Sequence, residues 1–334
     1  VWDVESGALL HELRGHEGRV QIVRFSSDGR WLATSGNDRV VRVWDLESGE
    51  TIHTLEGHTD TVYALAFHPH RPLLASAGRD ARVRLWDLEN REKDRTLGHH
   101  EAWDWSLSFH PDGDRLASSG QDNRIQVWDL DAEPLPAARG HSAPVVGISF
   151  HPDGQRLVSS GLDRTVRVWD VASGRELRVS GEAPDQLHRV QVHADGETVS
   201  AACLDHTVRR WRVDSLAPLP ELTGHAGVVF DLGVDPGGRW LASGDWQGES
   251  LLWDLSTGDL AHRLQGTGTA ITGIAFRDDG RQLATTGKNA APQLWDPRTG
   301  ALLRTLHGAT ARTLTYAPGC LLYTSDAADE CPAV

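Results

Sequence analysis

The sequence has no methionine, two lysines (Lys93 and Lys288) and three cysteines in 334 residues. Cys320 and Cys331 lie in an aberrant tail, which leaves Cys203 alone in the body of the chain. One thiol cannot form an internal disulfide, so a secreted cystine framework is excluded and the cytoplasm is the expected compartment. No apolar run approaches the ~18 residues that a membrane helix needs. Basic residues are outnumbered 33 to 47, for a net charge of −14. The balance stays acidic when Asp326, Asp329 and Glu330 of the tail are set aside. Such a surface argues against nonspecific nucleic-acid binding, which needs a basic stripe, and against anionic membranes. No Gly-rich loop of GxxxxGK type occurs, so no nucleotide cofactor is expected. His68 and His70 lie around Pro69 with no cysteine nearby; they read as turn residues rather than as metal ligands, and no metal is expected. Cys203 reads as a small packed side chain. A chain that begins at Val1 without methionine is expected to have lost its natural start, so the lack of a signal peptide says little.

What is present is a repeat. Tryptophan recurs at Trp2, Trp44, Trp86, Trp128, Trp169, Trp211, Trp253 and Trp295, every 41 or 42 residues, and all but Trp211 precede an aspartate. Each is reached through an alternating run such as VRVW, VRLW or IQVW, the pattern of a strand with one face buried. Upstream lie a Gly/Asp turn (SGNDR, AGRDA, SGQDN, SGLDR), a second apolar strand (WLATS, LLASA, RLASS, RLVSS) and a third that ends in Phe and a Pro/Asp/Gly turn (FHPDG). A fourth strand follows the Trp-Asp pair. One four-stranded sheet cannot bury both its faces alone, so the units are expected to stack radially.

With Gly-His pairs before most strand sets, this pattern resembles the WD-repeat family over residues 1 to about 318. The resemblance implies an all-β propeller of four-stranded antiparallel blades. Seven blades are favoured, eight remain possible, and surplus strands are left at both ends. Residues 1–15 read as the last strand of a preceding repeat, 16–308 as seven repeats, and 309–319 as the first strand of another. GALLHELRG at the start matches GALLRTLHG near 308; in a ring of seven the two would compete for one place. The segment CLLYTSDAADE resembles a translated sequencing adapter. Residues 320–334 are therefore expected to be an artefact and disordered, and the gene is expected to be cut at both ends.

Fixed offsets recur within the units: His16, Thr34, Asp38, Trp44; His58, Ser76, Asp80, Trp86; His100, Ser118, Asp122, Trp128; His141, Ser159, Asp163, Trp169. Ser, His and Asp together suggest a hydrolase triad. Fourfold repetition and termination in a donor-only indole argue instead for a structural relay, which the resemblance also implies: turn Asp to His, His to hydroxyl, hydroxyl to indole N–H. No catalytic residue is expected, and the chain is expected not to be an enzyme. The relay decays later. The fifth unit has Ala183 and Ala201 with Asp205 and Trp211; the sixth keeps His225, Ser243 and Trp253 with Gln247; the seventh has Thr267, Thr285, Asn289 and Trp295. Blades five to seven are accordingly expected to be less rigid.

In this family one rim, where the Gly-His loop meets the Asp turn, is where partners usually dock. The residue before the Asp position reads Asn37, Arg79, Gln121, Leu162, Leu204, Trp246, Lys288. Five after the His position stand Gln21, Tyr63, Trp105, Val146, His188, Phe230 and Thr272. Tyr63, Arg79, Trp103, Trp105, His188, Phe230 and Trp246 are the candidate partner contacts, since large rigid side chains and Arg dominate interface energy. Packing at the channel mouth is the competing role for Trp105 and Phe230. Asp104 occupies a position that is apolar in the other units (Val20, Val62, Val145, Leu187, Val229, Ile271). The expected function is a monomeric, non-catalytic scaffold for protein partners. The alternative is a sensor segment of a larger bacterial signalling protein fused to a kinase or a nucleotide-dependent ATPase.

Overall fold

Each repeat folds as its alternation dictates. In a computed structural model, residues 1–132, 135, 137–264, 266, 268–307, 313–317 and 321–324 are described. Blade 1 is built from Val20–Phe25, Trp31–Gly36, Val41–Asp45 and Thr51–Leu55, paired antiparallel in that order. Blades 2 to 7 repeat the plan, with inner strands Val62–Phe67, Asp104–Phe109, Val145–Phe150, Leu187–Val192, Val229–Val234 and Ile271–Phe276. The expected seven four-stranded blades are thus present, arranged in a ring as a β-propeller. Successive inner strands touch and surround a central channel.

Burial explains the sequence of each strand. The second strand of each blade is covered on both faces, and its residues from the second position on are fully buried, as in Leu32–Gly36 and Leu74–Gly78. Small residues fill it because neighbouring sheets converge toward the axis. The outer strand has one covered face and alternates, as Thr51–Leu55 does. The tryptophan of the third strand is wedged between blades in every unit, with Trp44, Trp86, Trp128, Trp169, Trp211, Trp253 and Trp295 all buried.

The ring is also tied at the face opposite the Asp turns. The His110 ring Nε2 donates to the Gly154 carbonyl at 2.6 Å, and His151 Nε2 does the same to Gly196. His70 Nε2 reaches the Pro111 carbonyl at 3.1 Å, and Ser27 Oγ donates to the Pro69 carbonyl. These FHP-turn residues connect one blade to the next, a role that reading them as simple turn residues misses. Burial, and secondarily Arg71, pulls the His68 imidazole down to about 4, so it is neutral at physiological pH.

The surplus strands meet rather than compete. Trp2–Asp3, Leu321–Thr324 and Leu314–Tyr316 form a three-stranded antiparallel sheet lying between blades 7 and 1. Leu9 bridges Trp2 at its edge, whereas Leu302–Thr305 is the outer strand of blade 7, so the two similar segments occupy different sheets. Trp2, Leu314 and Tyr316 pack on Ala284 and Leu294 of blade 7, and Val1 packs on Val23 and Trp44 of blade 1. Expected to be disordered, residues 321–324 are instead a strand, because the open edge of Leu314–Tyr316 gives their backbone a partner. Residues 325–334, with most of the adapter-like string, lie outside the described residues, as do 308–312 and 318–320.

Candidate interaction face

One backbone bond repeats in all seven blades and defines the face. The residue before the turn Asp position donates its N–H to the loop that enters the inner strand: Asn37 to Arg19, Arg79 to Thr61, Gln121 to Trp103, Leu162 to Pro144, Leu204 to Gln186, Trp246 to Val228 and Lys288 to Ala270, at 2.8–3.0 Å. This contact fixes the turn beside the loop and lifts side chains from both toward the same rim. In blades 1 to 3 the end of the second strand has room only for glycine, since a Cβ at Gly36, Gly78 or Gly120 would lie 2.0, 2.2 or 2.4 Å from a carbonyl oxygen of that loop, whereas blades 5 and 6 make the same bond with Cys203 and Asp245 there.

Beneath the rim the four relays are assembled. His16 Nδ1 donates to Asp38 at 2.7 Å, its Nε2 accepts from Thr34 Oγ1 at 2.7 Å, and that oxygen accepts from Trp44 Nε1 at 2.8 Å. His58, Ser76, Asp80 and Trp86 repeat this chain, as do His141, Ser159, Asp163 and Trp169. In blade 3, His100 joins Asp122 and Ser118, and Trp128 donates to Ser118. The same carboxylates accept the backbone N–H of Glu17, Thr59, Glu101 and Ser142, tying the loop to the turn a second time. Burial alone would raise the Asp80, Asp122 and Asp163 carboxyls, but the histidine and these amides hold them below their ordinary range. Thr34, Ser76, Ser118 and Ser159 are 0% exposed, so no substrate can reach these hydroxyls. The arrangement stabilises; it does not present a nucleophile.

Blade 6 departs from the offset reading. Gln247 is not the relay acid. Asp245, two residues earlier where blades 1 to 3 have glycine, receives His225 Nδ1 at 3.2 Å, and His225, Ser243 and Trp253 complete the chain. The offset fails because the acid has moved to the end of the second strand, where its carboxylate occupies nearly the same space. In blade 5, Asp205 is held by Arg209 instead of a histidine. In blade 7 Trp295 still donates to Thr285 at 2.9 Å, while Thr267 lies outside the described residues.

On the rim the candidate contacts fall into two clusters. Tyr63 stacks on Trp105, with centroids 5.6 Å apart and planes at 20°; Trp103 lies 6.1 Å from Trp105; and the Arg79 guanidinium sits 4.2 Å over the Trp103 ring. Around the ring, Phe230 contacts His188 and Trp246, each at 5.3 Å. Trp246 is 58% and Trp105 38% exposed, whereas Tyr63, Trp103, His188 and Phe230 are half-buried. Burial lowers the His188 pKa, which leaves a neutral aromatic surface there. Trp105, His188 and Phe230 also line the mouth of a central cavity of about 380 Å³. That cavity contains residues the sequence reading did not select: Arg24, Arg189 and Asp231, all on inner strands.

Asp104 lies between Trp103 and Trp105 in sequence and is wholly buried. Its Oδ1 is 3.2 Å from His100 Nε2, yet neither oxygen accepts a hydrogen bond. Burial pushes its carboxyl up to about 7, with His100 opposing. Burial acts to lower the His100 pKa, but Asp122 and Asp104 outweigh it and raise the value.

Among the described residues, the acidic and imidazole atoms that could converge on a metal are those of His225, Asp245 and Glu249, within 4.8 Å of one another. Each is already engaged: His225 in the relay, Asp245 also by the Gly227 and Gln247 amides, and Glu249 by Arg263. Burial pushes the Cys203 thiol up to about 12, which leaves it inert. No described helix is long and apolar enough to cross a membrane.

Comparison with family models matches the WD domain, G-beta repeat, at residues 7–45, 49–87, 91–129, 133–170, 216–254 and 258–296, together more than half of the chain. The unmatched interval contains Ala183, Ala201 and the Trp211-Arg212 pair of blade 5. Comparison with curated proteins gives no match.

Proposed function

The chain belongs to the WD-repeat family, whose propellers generally mediate protein interactions and are typically non-catalytic, and from that premise we propose that it is an interaction scaffold. Its protein partner docks on the face built by the Asp turns, with Tyr63, Arg79, Trp103 and Trp105 forming one contact patch and His188, Phe230 and Trp246 the other. The observation that carries this reading is the exposure of Trp246. Trp246 is 58% open to solvent and stands apart from the buried tryptophan that each blade already has. Exposed aromatics grouped around a cavity mouth, with an arginine stacked among them, have the composition of an interface centre.

The test is the Arg79→Ala/Trp246→Ala double variant. Both side chains are at the surface, so the melting temperature should stay within about 2 °C of wild type. Proteins co-purifying with wild type, quantified by mass spectrometry, should be lost from the variant. Undiminished capture by a folded variant would move the site off this face.

A further inference from the structure

The central cavity holds more positive charge than it neutralises. Arg24 projects from the inner strand of blade 1 and Arg189 from that of blade 5, and both line the cavity beneath the aromatic rim. Asp231, on the inner strand of blade 6, is the carboxylate among them. It is already engaged: one oxygen accepts the Ile274 N–H at 3.0 Å, and the other lies 3.5 Å from Arg189 Nε. Although Asp231 is near enough to act on its charge, Arg24 makes no close ion pair with a described carboxylate. Its hydrogen bond is from Nη1 to the Val23 carbonyl at 2.8 Å. Burial, and then the neighbouring Arg189, lower its pKa to about 10 against the opposing pull of Asp231, so it remains charged at neutral pH. Arg24 is half-buried and shares one already engaged carboxylate with Arg189, so the pair of guanidiniums is incompletely neutralised.

The aligned inner strands show how unusual these positions are. Where Arg24 stands, blades 2 to 7 have Ala66, Ser108, Ser149, Gln191, Gly233 and Ala275. Where Arg189 stands, blades 1 to 4 have Ile22, Ala64, Ser106 and Gly147, blade 6 has its ion-pair partner Asp231, and blade 7 has Gly273. Neither arginine is needed for the blade plan. Both converge on one cavity in a protein whose net charge is −14.

We propose that this cavity recognises a carboxylate carried by an extended peptide segment of the partner, with Arg24 and Arg189 holding the acid and the surrounding rim holding its apolar neighbours. The proposal rests on the docking face assigned above. Guanidinium and carboxylate match in charge and in their paired donor and acceptor geometry. The walls at Ile22, Trp105, Val146 and Phe230 suit an aliphatic or aromatic residue beside the acid. A small free acid would fill the cavity but leave the exposed ring of Trp246 uncovered, so a peptide fits the whole surface better.

The probe is a display library of random twelve-residue peptides selected on the intact chain. Enriched sequences should share an Asp or Glu next to an aromatic or aliphatic residue. Synthetic versions should bind at least about tenfold more weakly to Arg189→Gln, and to wild type when the acid is replaced by its amide. Arg189 is half exposed, so its variant should fold; Arg24→Gln, checked by thermal unfolding, gives a second reading. Peptides that lose binding with Trp246→Ala but carry no acid and bind Arg189→Gln normally would overturn the carboxylate site and leave the docking face standing. Peptides indifferent to Trp246, Trp105 and Arg189, or no enrichment at all, would overturn both.

Discussion

Replacing Asp104 by valine should stabilise the protein, and by an amount that depends on pH. Valine occupies the same register in blades 1, 2 and 4, where Val20, Val62 and Val145 face Gly36, Gly78 and Gly161 as Asp104 faces Gly120. The site therefore accepts valine without rearrangement. The carboxyl is wholly buried, accepts no hydrogen bond, and has its pKa raised from 3.8 to about 7. A shift of about three units, at about 1.4 kcal/mol each, is roughly 4 kcal/mol against the folded state once the group is ionised on both sides of the equilibrium. The folded pKa is the higher one, so the folded protein retains a proton that the unfolded chain has released. Stability is then lost as pH rises from about 4 to about 7 and is level above that. His100 acts in the same sense: its raised pKa contributes stability below 6.5 that disappears above its folded value, and the valine variant forgoes the part due to Asp104. Thermal unfolding at pH 8 should show Asp104→Val melting roughly 5–10 °C above wild type, with the gap closing toward pH 4.5. A variant that melts at or below wild type at pH 8, or a gap that does not change with pH, would refute the reasoning.

Two further outcomes follow from the relays. His58→Ala strands Asp80, Ser76 and Trp86 in a buried site and should cost about 2–4 kcal/mol, read as a lowered urea midpoint, with peptide binding at the rim retained. Native-state hydrogen exchange should be fastest in the second and third strands of blade 5, which has lost its histidine and hydroxyl, while blade 6 should match blades 1 to 4 through Asp245; equal protection in blades 5 and 6 would contradict this.

The difference between those two blades shows what a sequence can and cannot convey here. Strand order, blade plan and the four regular relays follow from period-two alternation and from a 42-residue spacing that local turns preserve, so they could be read directly. Asp245 could not, because its function depends on where a carboxylate ends up in space, and two residues of chain displacement at a turn leave that place almost unchanged. The closing sheet was illegible for a related reason: pairing between Trp2–Asp3 and Leu321–Thr324 joins the two ends of the chain, and no local pattern reports it. The histidines of the FHP turns were visible, but their partners at Gly154 and Gly196 lie one full repeat away.

The cavity arginines teach a different lesson. Arg24 sits in VQIVRF, where alternation correctly predicts a strand but does not say which face looks into the channel. A repeat supplies that information in another way: equivalent positions can be compared within one chain. A column of alanine, serine and glycine, broken otherwise only by Gln191, marks a place where most blades carry a small side chain and one carries an arginine, so the charge must be explained by something else. The same comparison singles out Asp104 in a column of valine, leucine and isoleucine. One departure weakens the fold and the other sets a second cation beside a single carboxylate, and both lie within a few residues of the Trp103–Trp105 cluster or share a cavity with it. Seven blades provide the stable frame, and the costly exceptions to their pattern gather at one mouth of the channel. That distribution is expected where stability has been given up locally for binding.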